Sequence, residues 1–336
     1  MSRKAWLFIL ITFGLTWPVE FALVAWVGGD LAAPAAAGST GVVTAVMVGA
    51  MFVPALSALI VQRGIYGASL RDLGIELRPN WWWAVAVIVP ILAVAAALGA
   101  SAALPHVSLT SGAAFIIEQL NAASLPAEQV DAVRADIEAQ GAWFGPFLAG
   151  ALVGAALLAG PTINALPALG EEVGWRGLLQ KAWASHGFWR SSMGVGAVWG
   201  VWHLPIVASG YNYPGHPVLG PLMMTVFCML WSPLLAYVVV RGHSVLPAAM
   251  LHGTLNAIAG ASLYFLEGGS RLTTGVMGAV GFGVLVLANS LVWWHQRRHA
   301  DAFRADWIDW QRGDRLNPRS VSRQGPSGVE TADAER

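Results

Sequence analysis

The sequence predicts an all-α fold, a polytopic membrane helical bundle of about eight transmembrane helices with both termini cytoplasmic, and three observations carry that expectation. Of the 336 residues, 56% are hydrophobic and only 11% are charged, a composition suited to lipid rather than water as the surrounding solvent. Apolar runs of about 20 residues, enough to cross roughly 30 Å of hydrocarbon, recur at 5–27, 42–61, 81–104, 143–169, 192–209, 218–240, 245–266 and 274–294. The basic residues near these runs alternate in side. Arg3, Lys4, Arg63, Arg71, Arg78, Arg176, Lys181, Arg190, Arg241, Arg297 and Arg298 fall in one set of ends, and only Arg134 and Arg271 in the other. Lys and Arg concentrate on the cytoplasmic side of membrane proteins, which places the first set inside. An integral, multi-pass protein of the cell (plasma or inner) membrane follows.

Taken in order, the first run follows a basic start and precedes an Ala-rich stretch, 31–37, that resembles a cleavage region. The run is longer than the apolar part of a signal peptide, so an uncleaved first helix is expected. Glu20, just after Pro18, is expected to be a bundle-facing polar group beside a kink. Trp81, Trp82 and Trp83 read as interfacial anchors. The loop 106–142 carries Glu118, Glu128, Asp131, Asp136 and Glu138 against one arginine. The spacing of Ile116, Ile117, Leu120, Leu125, Val130 and Val133 predicts one or two short amphipathic helices capping the outer face. Beyond residue 294 the chain turns polar, and 295–336 is expected to be a cytoplasmic, largely disordered tail, apart from a short interfacial helix bearing Phe303, Trp307 and Trp310. The expected organisation is 1–142 for the first three membrane helices and the outer loop, 143–294 for a catalytic membrane core, and 295–336 for the tail.

Two function classes drop out at this level. The net charge is zero and no basic cluster exists to track phosphates, so no nucleic acid partner is expected. Cys228 is the single cysteine, which excludes an internal disulfide framework and a cysteine-based zinc cluster.

The chemistry-bearing residues lie in the second half, where polarity is expensive. A carboxylate in a membrane helix costs roughly 2.5–3.5 kcal/mol, so by default it faces a protein cavity and a partner. Glu171-Glu172-Val173-Gly174-Trp175-Arg176 places Glu172 and Arg176 one helical turn apart, where they can pair, while Glu171 points about 100° away and is left for chemistry. Trp199 precedes His203 by four residues, and His252 precedes Asn256 by four. Each pair therefore shares a helix face. A spare carboxylate, two histidines and an amide on three helices are the groups needed to activate water and hold an oxyanion.

In that order, EExxxR, aromatic-xxx-His and HxxxN resemble the CAAX protease and bacteriocin-processing (CPBP, Abi) family of intramembrane endopeptidases, the type II CAAX prenyl endopeptidase-like proteins. The resemblance spans about 143–266 and departs at Trp199, where phenylalanine is more usual. It implies Glu171 as the base that activates water with His203 sharing the task, His252 and Asn256 as the oxyanion site, and Glu172, Arg176 and Trp199 as structural support. It also implies a peptide or membrane-protein substrate, lipidated in the eukaryotic members, cleaved near the cytoplasmic membrane face. Topology read from the apolar runs agrees, setting Glu171 toward the cytoplasmic end of the fourth and His252 about 10 Å into the seventh.

Glu171, His203 and His252 are also a His₂Glu set of the kind that holds Zn²⁺ with water in the fourth position, and the same residues serve direct base catalysis without metal. Both remain open at this level. Rival classes are a proton-coupled transporter, which would not need Asn256 and for which no inverted repeat is evident, and a non-catalytic immunity or scaffold protein, which has little reason to keep costly polar groups. A serine-type site needs a nucleophilic serine paired with a histidine on another helix, and Ser69 in Tyr66-Gly67-Ala68-Ser69 sits in a basic cytoplasmic loop instead; an aspartyl type lacks aspartates within the runs.

Overall fold

The computed structural model describes residues 2–32, 39–123 and 125–312. The Ala-rich 33–37 and the tail beyond 312 lie outside them. Helix α1 (Arg3–Trp26) is capped by the Ser2 hydroxyl, which accepts from the Ala5 amide at 3.3 Å. Helices α2 (Ser39–Ala50) and α3 (Val53–Leu59) form one bent run that closes with a π turn at Ile60–Ile65. Asn80 caps α4 (Trp81–Ala102), accepting from Trp82 at 3.0 Å. The acidic loop forms both expected helices, α5 (Ala113–Ala122) and α6 (Ala127–Gln140), behind a short strand β1 (Ser108–Leu109).

The motif helix is α7 (Phe144–Leu158), a π turn at Gly160–Asn164, α8 (Ala165–Glu172), a second π turn at Val173–Leu179, and α9 (Gln180–Ala182), all in one continuous run. Next come α10 (Phe188–Trp202), α11 (Leu204–Ala208), α12 (Leu219–Gly242), α13 (Leu246–Ile258) and α14 (Ala261–Phe265). Strand β2 (Leu266–Glu267) pairs antiparallel with β1, and α15 (Ala279–Arg298) and α16 (Ala300–Arg312) close the described chain.

Five helical runs among the described residues are long and apolar enough to cross a membrane: Arg3–Trp26, Thr40–Ile65, Trp81–Ala102, Ala127–Ala182 and Leu219–Gly242. The expected count was about eight, and the difference has local causes. The fifth apolar run breaks where α10 stops at Trp202 and α11 restarts with Pro205. The seventh breaks at Gly260 after thirteen residues of α13. The eighth forms α15 only from Ala279, and its last turn carries His295, Arg297 and Arg298.

The core centres on α12, 72% of whose apolar window is buried, against 28% for α1. Small residues let neighbouring helices touch backbone to backbone, as membrane helices do without a hydrophobic drive between them. A methyl added at Gly253 would sit 2.4 Å from the Gly160 carbonyl oxygen, and one at Gly200 2.4 Å from the Thr225 Cα. These contacts draw α13 onto the motif helix and α10 onto α12. The short helix expected to bear Phe303, Trp307 and Trp310 is α16, which docks with Phe303 and Trp310 buried, and α15 runs on before it to Arg298. Phe303 meets the Phe188 ring edge-on at 5.2 Å, and Arg241 pairs with Asp306. An amphipathic helix with three aromatics on one face buries them where a partner surface exists.

Candidate active site

The two adjacent glutamates divide their partners as their 100° separation requires. Glu172 is fully buried, and its Oε1 accepts from the Arg176 guanidinium at 3.1 Å and from His252 Nδ1 at 2.9 Å. Arg176 also donates to the Ser232 hydroxyl at 3.1 Å, which in turn donates to the Ser192 carbonyl at 2.6 Å. A buried charge needs such company. The pair thus ties the motif helix to α12 and α10 and orients the α13 histidine. Glu171 turns the other way. Its Oε2 accepts from the indole N–H of Trp199 at 2.6 Å and of Trp175 at 3.2 Å. Trp199, expected only as a wall, therefore also fixes the Glu171 carboxylate, and the Arg176 guanidinium lies 5.0 Å from its ring centre.

The two histidines are fixed from behind. His203 Nδ1 lies 2.8 Å from the Trp199 carbonyl, which can only accept, so Nδ1 carries the proton and Nε2 is left bare. His252 Nδ1 likewise faces a carboxylate, that of Glu172, and its Nε2 is also free of protein partners. The Trp199 ring stands between them, 5.8 Å from the His203 ring and 5.2 Å from the His252 ring.

Glu171, His203, His252 and Asn256 line one cavity of about 530 Å³. Asn256, one turn beyond His252 on α13, is exposed into it rather than packed. Glu172 and Arg176 do not reach the cavity wall.

Sequence reasoning undervalued one residue. Glu20 lines the same cavity from α1, with its Oε2 buried and unpartnered. It was expected only as a polar group beside a kink. The signal was available: a carboxylate inside an apolar run faces a cavity by default.

The sequence left zinc and metal-free catalysis both open. Among the described residues, no three His, Cys, Asp or Glu side chains are grouped to hold a metal ion. The Nε2 atoms of His203 and His252 face no protein partner, and both indoles bond the same Glu171 oxygen, Oε2; the steps below use these side chains alone.

The cavity and the motif helix also show how deep Glu171 lies. The cavity runs from Glu171 and His252 to Tyr211, Asn212, Arg271 and Thr274, in loops on the sparsely basic side of the bundle. The apolar run was expected to end near residue 169 because the glutamates interrupt it, but the helix continues to Ala182. Glu171 therefore lies eleven residues before that helix end (171 to 182), about 16 Å at 1.5 Å per residue, in mid-helix.

Residues 137–258 match the family model Type II CAAX prenyl endopeptidase Rce1-like. Over this segment, about a third of the chain, the protein is similar to that family. No curated protein and no solved structure matches the chain. The Rce1-like segment holds Glu171, Glu172, Arg176, Trp199, His203, His252 and Asn256, whereas Glu20 and Arg271 stand outside it. Type II CAAX prenyl endopeptidases are peptide hydrolases, and the five apolar helical runs make the chain a membrane protein.

Proposed function

We propose that the protein is an intramembrane endopeptidase, CAAX prenyl protease-like, that hydrolyses a peptide bond with water activated by Glu171. The single observation that supports this reading is the convergence of Glu171, His203, His252 and Asn256 on one cavity, although they come from three helices. The Glu171 carboxylate is the proton acceptor, and the bare His203 Nε2 holds the same water. Attack on the peptide carbonyl places negative charge on its oxygen. The Asn256 amide donates to that oxygen, and His252, with the Glu172 carboxylate as counter-ion behind it, donates from Nε2 when its ring carries both protons. The proton taken by Glu171 then passes to the leaving amine.

The cavity wall away from these groups is apolar, with Val43, Met47 and Val48 of α2 and Met224 and Phe227 of α12. It suits a hydrophobic peptide or membrane-protein segment, with or without a lipid chain, in the cell membrane. Cleavage of a panel of apolar peptides by purified protein tests the reading. Glu171→Gln, His203→Ala and His252→Ala should each abolish cleavage while leaving the protein folded in detergent. Three variants that all cleave at the parental rate would sink it.

A further inference from the structure

The bundle has two distinct ends. At one, Lys4 bonds to Gln62, whose amide donates to the Ser69 carbonyl at 2.7 Å and to Asp72 at 3.2 Å. Lys181 donates to the Asp72 carbonyl at 2.5 Å, the Val245 amide to the Gly74 carbonyl at 2.9 Å, and α16 docks over the rest. This end is laced shut, and it carries nearly all the basic residues. At the other end the Leu31 amide reaches the Ser209 carbonyl at 2.7 Å, and the Tyr213 hydroxyl donates to the Met277 carbonyl at 2.8 Å.

The active-site cavity takes lining residues from the second end, Tyr211, Asn212, Arg271 and Thr274, and none from the loops of the first. The helices agree with that placement. Glu20 lies six residues from the far end of α1 (20 to 26), and His203 immediately follows the last residue of α10. By the distribution of Lys and Arg, the laced end is cytoplasmic.

We propose that the cavity receives its peptide from the extracytoplasmic side, past Arg271, whose guanidinium meets a carboxylate of that peptide. Arg271 is the only Lys or Arg lining the cavity among the described residues, is exposed there, and has no ion-pair partner among them. Its loop is anchored before Arg271 by the pairing of β2 with β1, and after it by the Ser101 hydroxyl accepting from the Gly275 amide at 3.0 Å and by the Tyr213 bond to Met277. A guanidinium fork on an anchored loop, at a mouth whose depth holds Glu20 and Glu171, favours an anionic group at the rim and keeps it out of the interior. The substrate class is then an exported peptide, or an outward-facing membrane segment, with a carboxylate near the scissile bond. This inference rests on the endopeptidase reading for the nature of its substrate but not for its sidedness.

The test separates the two. In a Cys228→Ser background, Ser262→Cys places a near-isosteric thiol on the cavity wall and Arg63→Cys places one at the laced end. In sealed right-side-out vesicles, a membrane-impermeant maleimide should label Ser262→Cys and spare Arg63→Cys until the vesicles are opened. Labelling of the cavity thiol only from the cytoplasmic side overturns the proposal, whatever the activity. Thr44→Cys repeats the measurement from the opposite wall if Ser262→Cys does not accumulate. In the same vesicles an impermeant peptide added outside should be cleaved without permeabilisation. Absence of cleavage even in detergent would count against the endopeptidase reading and leave the labelling result standing. Arg271→Gln should raise KM for an acidic peptide about ten-fold with kcat unchanged, the loss of one charge-assisted contact. Amidating the peptide C-terminus should reproduce that rise if the terminal carboxylate is the partner, and a Glu→Gln change in the peptide if a side chain is. A KM indifferent to Arg271→Gln and to both peptide changes overturns the assignment of Arg271.

Discussion

The cavity has two unlike walls. The wall formed by α8, α10 and α13, all within the Rce1-like segment, is held from behind: Glu171 accepts from two indoles, His252 rests on the Glu172 carboxylate, and His203 on a backbone carbonyl. The wall formed by α1 and α2 carries one unpartnered carboxylate oxygen, on Glu20, among valines and methionines. The first is built before any ligand arrives, as preorganised catalysis requires. The second has little to hold its side chains, so it is the wall that adapts to what enters.

That contrast can be broken or sharpened by substitution. Glu171→Gln removes the proton acceptor without changing its shape, and cleavage should fall by about 10²–10⁴, the usual worth of a positioned acid–base group. The melting temperature should stay near the parental value. Arg176→Met strands the buried Glu172 carboxylate and should destabilise the protein by about 3–5 kcal/mol. Thermal unfolding in detergent reads that loss, and activity should disappear with the fold rather than separately. Trp199→Phe keeps the aromatic wall and deletes the 2.6 Å bond to Glu171. An unmet buried partner costs about 1–3 kcal/mol, so cleavage should slow by roughly ten-fold with stability only slightly reduced. Glu20→Gln, on the adaptable wall, should alter the order of preference among peptides more than the best rate, measured as kcat/KM across a panel. Chelation of metals should leave the cleavage rate unchanged, the smallest effect of the set. A Glu20→Gln variant as inert as Glu171→Gln would erase the distinction between the walls.

Much of the site was legible because polarity in lipid is costly. Glu171, Glu172, Arg176, His203, His252 and Asn256 were each visible as groups that an apolar helix has no cause to hold, and their i,i+4 spacing assigned the Glu172–Arg176 pair that the structure contains. What spacing could not supply was contact between distant helices. The bond from His252 to Glu172 depends on α13 pressing against the motif helix at Gly160 and Gly253, a tertiary event. The position of Glu171 along its helix was misjudged for a related reason. Hydropathy falls at the glutamates although the helix does not end there, so a change in polarity was taken for a change in depth. The docking of α16 escaped because the sequence shows an amphipathic face without showing what covers it.

The crossing at Gly160 and Gly253 has a bearing on how the protein can vary. Where two main chains are in direct contact, the position of His252 is set by the skeleton and owes little to neighbouring side chains. Swapping Val43, Val48 or Met47 for residues of other size would thus reshape the room offered to a guest while the reacting groups keep their places, whereas a single methyl at either glycine would prise the two helices apart and disarm every guest at once.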